Sequence, residues 1–425
     1  MTRAPALAAV LLAGWAGLAL PARAGERDLL EVLGLRNPDR GQPRPGQLMY
    51  FVLPAFGVSP SVGVAYGVAG SAAIALGPPE DTIVSSMSAS VMLTTKDQLL
   101  ASAKTVLVTS GNVWELLGDL RYYAYAEPTF GLGTGTTPVS GGFVLNGIDT
   151  QALPGEQDMR FQYVKVHETA FRQVSGPSYV GLGYHLDAHG DIEDESLDLG
   201  AVPPAVTSHY AYSRYEGFDP GHYRLSGVSL NLLWESRDHT LDPRQGLFLQ
   251  LTYRVNPTWL GSTRASSSAY GELRTYHPLS AENPRNLLAV WVIVDAVVTG
   301  AVPYLDLPAI GYDTRGRSGR AFAAGRFRGT ALAYGEVEWR FPLSSNGVLG
   351  GVLFANATTT ARPSVDVPSL GVSDPGVKLF DSVKPAAGTG LRILVDRQAR
   401  MNLVVDVAWG AGGSSGVYLS MGETF

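Results

Sequence analysis

The residues with the most chemistry in this chain lie close together. The segment GRAFAAGRFRG, residues 319–329, carries Arg320, Arg326 and Arg328, with Arg315 and Arg317 just upstream. A guanidinium grips a carboxylate or phosphate through a rigid fork of donors, so this density of arginine asks for anionic partners. No helical or strand period fits the stretch, yet a strand-like run, ALAYGEVEWRFPL, follows it directly. Two other stretches match reactive patterns on paper. GGSSG at 412–416 fits G-x-S-x-G, but a nucleophile elbow needs a strand-to-helix turn, whereas this one joins two strand-like runs and reads as a glycine hairpin turn. His185 and His189 precede the acidic run DIEDESLD, residues 191–198. Without metal-ligand spacing this region reads as a solvated external loop. The seven histidines yield no histidine–serine–acid set, so no catalytic residue, metal or cofactor is assigned.

Elements must position those arginines, and the outer bounds limit which. Residues 1–24 have an early Arg3, an apolar stretch from Ala4 to Leu20 and a small-x-small end at Ala22-Arg23-Ala24. That is an export leader with expected cleavage after Ala24. Its removal takes away two arginines and no acid, so the net charge becomes 30 minus 38, or −8, which argues against nucleic acid as a partner. The chain has no cysteine, which removes disulfide stapling and thiolate chemistry. No later apolar run is long enough for a transmembrane helix. Residues 25–46, with Pro38, Pro43 and Pro45, read as a short periplasmic tail or linker, leaving 47–425 for the main domain.

From Leu48 onward the sequence falls into apolar-alternating runs separated by turns. In LFLQLTYRV, Leu247, Leu249, Leu251, Tyr253 and Val255 share one face, and Phe248, Gln250, Thr252 and Arg254 the other. NVWELLGDLRYY and MNLVVDVAW alternate the same way, with Asp119 and Asp406 on their polar faces. A soluble sandwich and a lipid-embedded barrel both fit this alternation. Strand number and connections favour the barrel. Sixteen runs, centred near 52, 68, 89, 103, 119, 167, 183, 230, 251, 273, 292, 337, 352, 390, 405 and 421, have long polar connections at 126–157, 190–221, 299–330 and 356–384. An even strand number, with short turns at one rim and long loops at the other, is the pattern of an outer-membrane barrel, and closure removes exposed edges. His167 on the sixth run then faces the lumen.

Several ordered stretches now resemble one family: FVLPAFGVSPSVGVAYGVAG, RYYAYAEPTFGLGTGT, ESRDHTLDPRQGLFLQLTY with Glu235 in an aspartate place, GRAFAAGRFRGTALAYGEVEWRFPL, and the closing GTGLRILVDRQARMNLVVDVAWGAGGSSGVYLSMGETF. Together they resemble the BamA/TamA outer-membrane assembly-factor superfamily, or bacterial surface antigen family, in the branch without POTRA domains. The resemblance spans roughly 48–425. It implies a single 16-stranded antiparallel transmembrane β-barrel in the bacterial outer membrane, with a loop between strands eleven and twelve folded inward. On the pattern R-G-Y-x-x-G-R-Y-R-D, this chain offers Arg320, Ala321, Phe322, Gly325, Arg326 and Arg328, with Ala321 replacing a glycine and Gly329 an acid. The family's strand-thirteen acid is Asn356 here, so Glu338 and Asp406 are the remaining candidate partners for a loop arginine. The alternative is a surface loop whose arginines face anionic lipopolysaccharide. The resemblance also makes Phe425 a C-terminal assembly signal, with Met421, Leu419 and Val417 on its face of strand sixteen and Glu423 as a departure.

The implied function is outer-membrane biogenesis without enzymatic chemistry: moving a polypeptide or lipid through a seam between first and last strands, near 49–57 and 416–425. Outer-membrane lipids, lipopolysaccharide, an unfolded polypeptide client and a separate periplasmic partner are the expected partners. A passive pore and a barrel-borne lipase are the alternatives.

Overall fold

Alternation leaves each strand's apolar face to be covered either by a core or by lipid, and the computed structural model decides for lipid. It describes residues 28–32, 45–78, 81–135, 144–145, 148–153, 155–362, 364–367, 372–397 and 400–425. The leader read over 1–24 lies outside these residues. Sixteen strands form one closed antiparallel barrel. They are β1 Leu48–Ser59, β2 Gly63–Ile74, β3 Ser85–Thr94, β4 Leu99–Val108, β5 Trp114–Ala126, β6 Met159–Ser175, β7 Ser178–Asp194 and β8 Tyr223–Glu235. The second half comprises β9 Gly246–Asn256, β10 Ser266–Pro278, β11 Leu287–Gly300, β12 Ala331–Pro342, β13 Leu349–Ala361, β14 Lys384–Asp396, β15 Met401–Gly410 and β16 Ser415–Met421.

The apolar members of each alternating set point outward. Trp114, Leu116, Leu120 and Tyr122 of β5, Leu251, Tyr253 and Val255 of β9, and Trp409 of β15 are exposed on the outer wall. Their neighbours Asp119, Arg121, Arg254 and Asp406 turn inward, where Arg121 grips Asp119 at 2.6 and 2.7 Å and Arg254 reaches Asp187 at 2.6 Å. This inverts a soluble sandwich and matches a barrel immersed in hydrocarbon. No helix among the described residues is long and apolar enough to cross a membrane; strands make the crossing.

The long connections, 127–158, 195–222, 301–330 and 362–383, all leave from one rim, and at the other the longest turns are 75–84 and 236–245. At that second rim the one-turn helix α1, Leu29–Val32, docks against the β14–β15 turn. The Arg397 amide donates to Asp28 at 2.9 Å and its guanidinium to Glu31 at 3.3 Å. At the first rim, helix α2, Ser208–Glu216, starts at Thr207, whose hydroxyl accepts from Tyr210 N, and ends at Gly217 with φ +74°. It lies over the 301–330 loop, where the Tyr212 hydroxyl donates to the Val302 carbonyl at 2.8 Å.

One structural point differs from the sequence reading and one agrees with it. His185 and His189 are not in an external loop: β7 runs on to Asp194 and both belong to it, His189 being buried. Strands that project past the membrane meet water on both faces, so their acidic ends look like loop. His167 lies inside, bonded to Asp187 at 2.9 Å.

Candidate functional site: the luminal loop and the seam

The 301–330 loop folds into the lumen, and its own residues give it shape before the barrel holds it. A short 3₁₀ turn, Tyr304–Asp306, opens it. Buried Arg328 donates to the carbonyls of Tyr304 at 3.1 Å and Leu305 at 2.6 Å, tying the loop's end to its beginning. The Asp313 carboxylate accepts the backbone N–H groups of Arg315, Arg317 and Ser318 at 2.9, 3.0 and 2.8 Å, fixing the turn that follows. The loop spans the barrel interior. On one side Lys104 and Arg121 donate to the Thr314 carbonyl at 2.6 and 3.2 Å.

On the other side stands Arg320. Strand period places Glu336, Glu338 and Arg340 of β12 on one inward face, and β15 adds Asp406. The Arg320 guanidinium donates to Glu336 at 2.5 Å, to Asp406 at 2.7 Å, and to Glu338. Its flat face lies 3.4 Å from the Phe354 ring centroid on β13. Asn356 donates to the Arg320 carbonyl at 3.2 Å and to Glu336 at 3.3 Å. Arg340 pairs with Glu338, and Arg392 of β14 with Asp406 at 2.6 Å and Glu423 at 2.7 Å. All these side chains are buried. Removing one member of such a network leaves its opposites as uncompensated buried charge, at about 3–5 kcal/mol.

Next to Arg320 the backbone is strained. Ala321 has φ +91°, a conformation glycine enters freely and alanine does not. Its neighbours hold it there. Its N–H donates to the Tyr418 hydroxyl of β16 at 2.8 Å, and Phe322 is buried edge-on to Phe327 at 4.9 Å between centroids. The Phe322 ring abuts Gly410, where a Cβ would lie 2.7 Å from it.

The same segment faces the seam. β1 and β2 pair along their whole length, from Leu48↔Ile74 to Ser59↔Gly63. β1 and β16 share, among the described residues, the single ladder pair Val58↔Leu419. Val52, Leu53 and Phe56 are exposed although they lie on both faces of β1, so that strand is uncovered inside as well as outside. From within, the loop touches both banks: Ala321 on Tyr418, and Ala324 N on the Ser61 hydroxyl of the β1–β2 turn at 2.7 Å.

A family model described as the Omp85 superfamily domain matches residues 179–425, more than half of the 425-residue chain. The chain belongs to the Omp85 superfamily. Among solved structures, BamA from Haemophilus ducreyi lacking POTRA domains 1–3 is similar with a TM-score of 0.54 and 14% identity, over 99% of this chain and 78% of that one. CdiB from Acinetobacter baumannii is similar with a TM-score of 0.46 and 13% identity, over 89% of this chain and 65% of that one. No curated protein matches the chain in sequence. This Omp85 barrel is an outer-membrane protein.

Within the Omp85 barrel, Arg320, Glu338, Asp406 and Asn356 meet in one cluster. Arg328 serves the loop's interior, Arg326 stacks over Phe130 at 4.2 Å, and Gly325 turns the chain with φ +71°. Glu336 was absent from the sequence candidates, although it sits two residues from Glu338 and shares its face. Glu235 pairs with Arg237 beside it, keeping a local ion pair in the strand-eight motif. One placement needs correction. Val417 and Met421 face outward on β16, but Phe425 does not continue their face. The strand stops at Met421, Gly422 turns with φ +77°, and the last residues enter the lumen. There Glu423 accepts from Arg392 and Asn402 at 2.7 Å each, and Phe425 is buried against Trp291 at 5.1 Å. A turn at glycine resets the two-residue parity on which the register rested.

Proposed function

We propose that this barrel inserts or translocates polypeptide at its β1–β16 seam during outer-membrane biogenesis, without enzymatic chemistry. The observation that carries the reading is the seam itself: one ladder pair between β1 and β16, bridged from inside by residues 321–324 of the luminal loop. An unpaired edge is a template for an incoming strand, and on the β1 bank the loop holds Ser61 through one hydrogen bond that an incoming strand can replace. The passive pore is disfavoured because the loop spans the lumen from Thr314 beside Lys104 to Arg320 beside Asp406. A lipase is disfavoured by burial: His209 bonds Asp194 at 2.8 Å and lies 3.5 Å from Ser213, but His209 and Ser213 sit on the buried face of α2 and the Asp194 side chain is buried with them.

Reconstitution of the full chain into liposomes, with conductance recorded beside insertion of an unfolded barrel protein, tests the reading. Low steady conductance with accelerated insertion is expected. A large steady current without accelerated insertion makes the protein a pore, and turnover of lipid ester that depends on a serine makes it an enzyme.

A further inference from the structure

Behind the seam lies a cavity of about 260 Å³, bordered by Gly57, Val58 and Ser59 of β1, Tyr418 and Leu419 of β16, and the loop arginines 315, 317 and 320. Arg320 is neutralised by three carboxylates, whereas the other two are not. Arg317 donates to the backbone carbonyls of Met421, Gly422 and Glu423 at 2.9, 3.0 and 2.6 Å, and Arg315 to those of Glu423 and Thr240 at 3.2 and 2.9 Å. Among the described residues neither has a carboxylate at ion-pair distance, and the acids nearby are engaged elsewhere. Glu423 is taken by Arg392 and Asn402, Asp406 by Arg320 and Arg392, and Asp313 by three amide N–H groups. Burial pushes the Arg315 guanidinium down to about 9, and Arg274 and Arg237 push the same way. Carbonyl dipoles satisfy the donors but leave the charge. Two cations therefore border this cavity with no carboxylate in direct contact, the opposite charges of Glu423, Asp313 and Asp406 acting on Arg317 only at longer range.

We infer that this cavity is an anion site for the phosphate headgroup of a membrane lipid entering through the seam. A lipid is the occupant the surroundings favour. β1 exposes Tyr50, Val52 and Phe56, and β16 exposes Val417 and Met421, so the approach from outside is through apolar surface, while the arginines sit behind it. A phosphate offers several acceptor oxygens and suits the guanidinium fork. Its arrival would draw Arg317 from the carbonyls of the C-terminal tail, coupling headgroup entry to release of β16's end. The entry route rests on the seam reading above; the anion site does not.

The test uses the full chain in a nonionic detergent and native mass spectrometry with dihexanoyl phosphatidic acid, inorganic phosphate, and an acidic unfolded peptide as probes. The expected result is retention of the lipid phosphate, with binding weakened at least tenfold in Arg315→Gln/Arg317→Gln and unchanged in Arg326→Gln. A heat-modifiable gel shift reports that each barrel is folded, and if the double variant fails it, Arg317→Gln alone must show the loss. Equal binding of inorganic phosphate overturns the lipid assignment. Preference for the peptide, or undiminished lipid binding in the arginine variants, overturns the site. Failure of the unaltered chain to retain the lipid phosphate, with polypeptide insertion intact, removes this inference and leaves the proposed function standing.

Discussion

The β12–β15 wall and the β1–β16 seam are built from the same antiparallel ladder and have opposite character. β12 and β13 pair from Ala331↔Ala361 to Pro342↔Gly350, and inside them Arg320, Arg340 and Arg392 interleave with Glu336, Glu338, Asp406 and Glu423. Among the described residues the seam has one ladder pair and no ion pair between β1 and β16. The difference teaches where the loop gets its leverage. It is fastened to the strong wall by the buried Arg320 guanidinium and to the end of β16 by Arg317, but it reaches the β1 bank through one neutral hydrogen bond, Ala324 N to Ser61. Such a bond is worth about 1 kcal/mol, so the β1 bank can part while the loop stays anchored.

The largest expected effect comes from breaking the strong side. Arg320→Ala leaves Glu336 without its cation and takes one of two partners from Glu338 and Asp406, a local cost of about 3–5 kcal/mol. Protease added from outside is then expected to cut between Arg315 and Arg328 much faster, with the barrel still heat-modifiable on gels. Arg320→Lys recovers little, since a point charge cannot fork. Arg328→Ala frees the loop's opening turn and leaves the Glu336 contact. If Arg328→Ala releases the loop and Arg320→Ala does not, the anchor has been misplaced.

A smaller effect separates the two sides by pH. Glu127, just past β5, accepts a hydrogen bond from the Tyr312 hydroxyl at 2.9 Å. Burial raises its pKa to about 7, against the opposing pull of the Tyr312 hydrogen bond and the Arg328 charge. A carboxyl whose folded pKa is raised binds more proton in the folded state, so its contribution weakens as pH rises from about 4.5 to about 7. After correction for the intrinsic pH dependence of amide exchange, the protection of residues 312–316 is expected to rise on acidification from pH 8 to pH 5. Glu127→Gln removes that dependence; an unchanged profile in the variant assigns it to another group.

The smallest change sharpens the comparison from the other direction. Ala321→Gly relieves a left-handed alanine and is expected to stabilise the loop by about 1 kcal/mol. Slower proteolysis of the loop is the sign. Faster proteolysis means that the alanine methyl packs more than the φ +91° strain costs.

Much of this was legible because parity is local. The outward faces of β5, β9 and β15 follow from alternation alone, and Asp406 and Glu338 follow as inward acids. Glu336 was equally legible from its position two residues before Glu338, and only the family's single-acid pattern drew attention away from it. What lay beyond sequence parity were non-local facts. Gly422 breaks the register and sends Phe425 inside. The acidic end of β7 reads as loop because a strand above the membrane has two wet faces. The seam's single pair depends on how β1 meets the other end of the chain, although Pro54 within β1 is a local hint, since proline in a strand belongs at an edge.

The central claim is that the seam must part. The chain has no cysteine of its own, so Val58→Cys with Leu419→Cys places one thiol pair across the ladder partners, at a separation a disulfide can bridge. The measurement is insertion of an unfolded barrel protein by this variant in liposomes, oxidised and then reduced. Insertion that stops on oxidation and returns on reduction, with the barrel folded throughout, is the predicted result. Insertion that proceeds at the same rate with the seam locked would contradict the account.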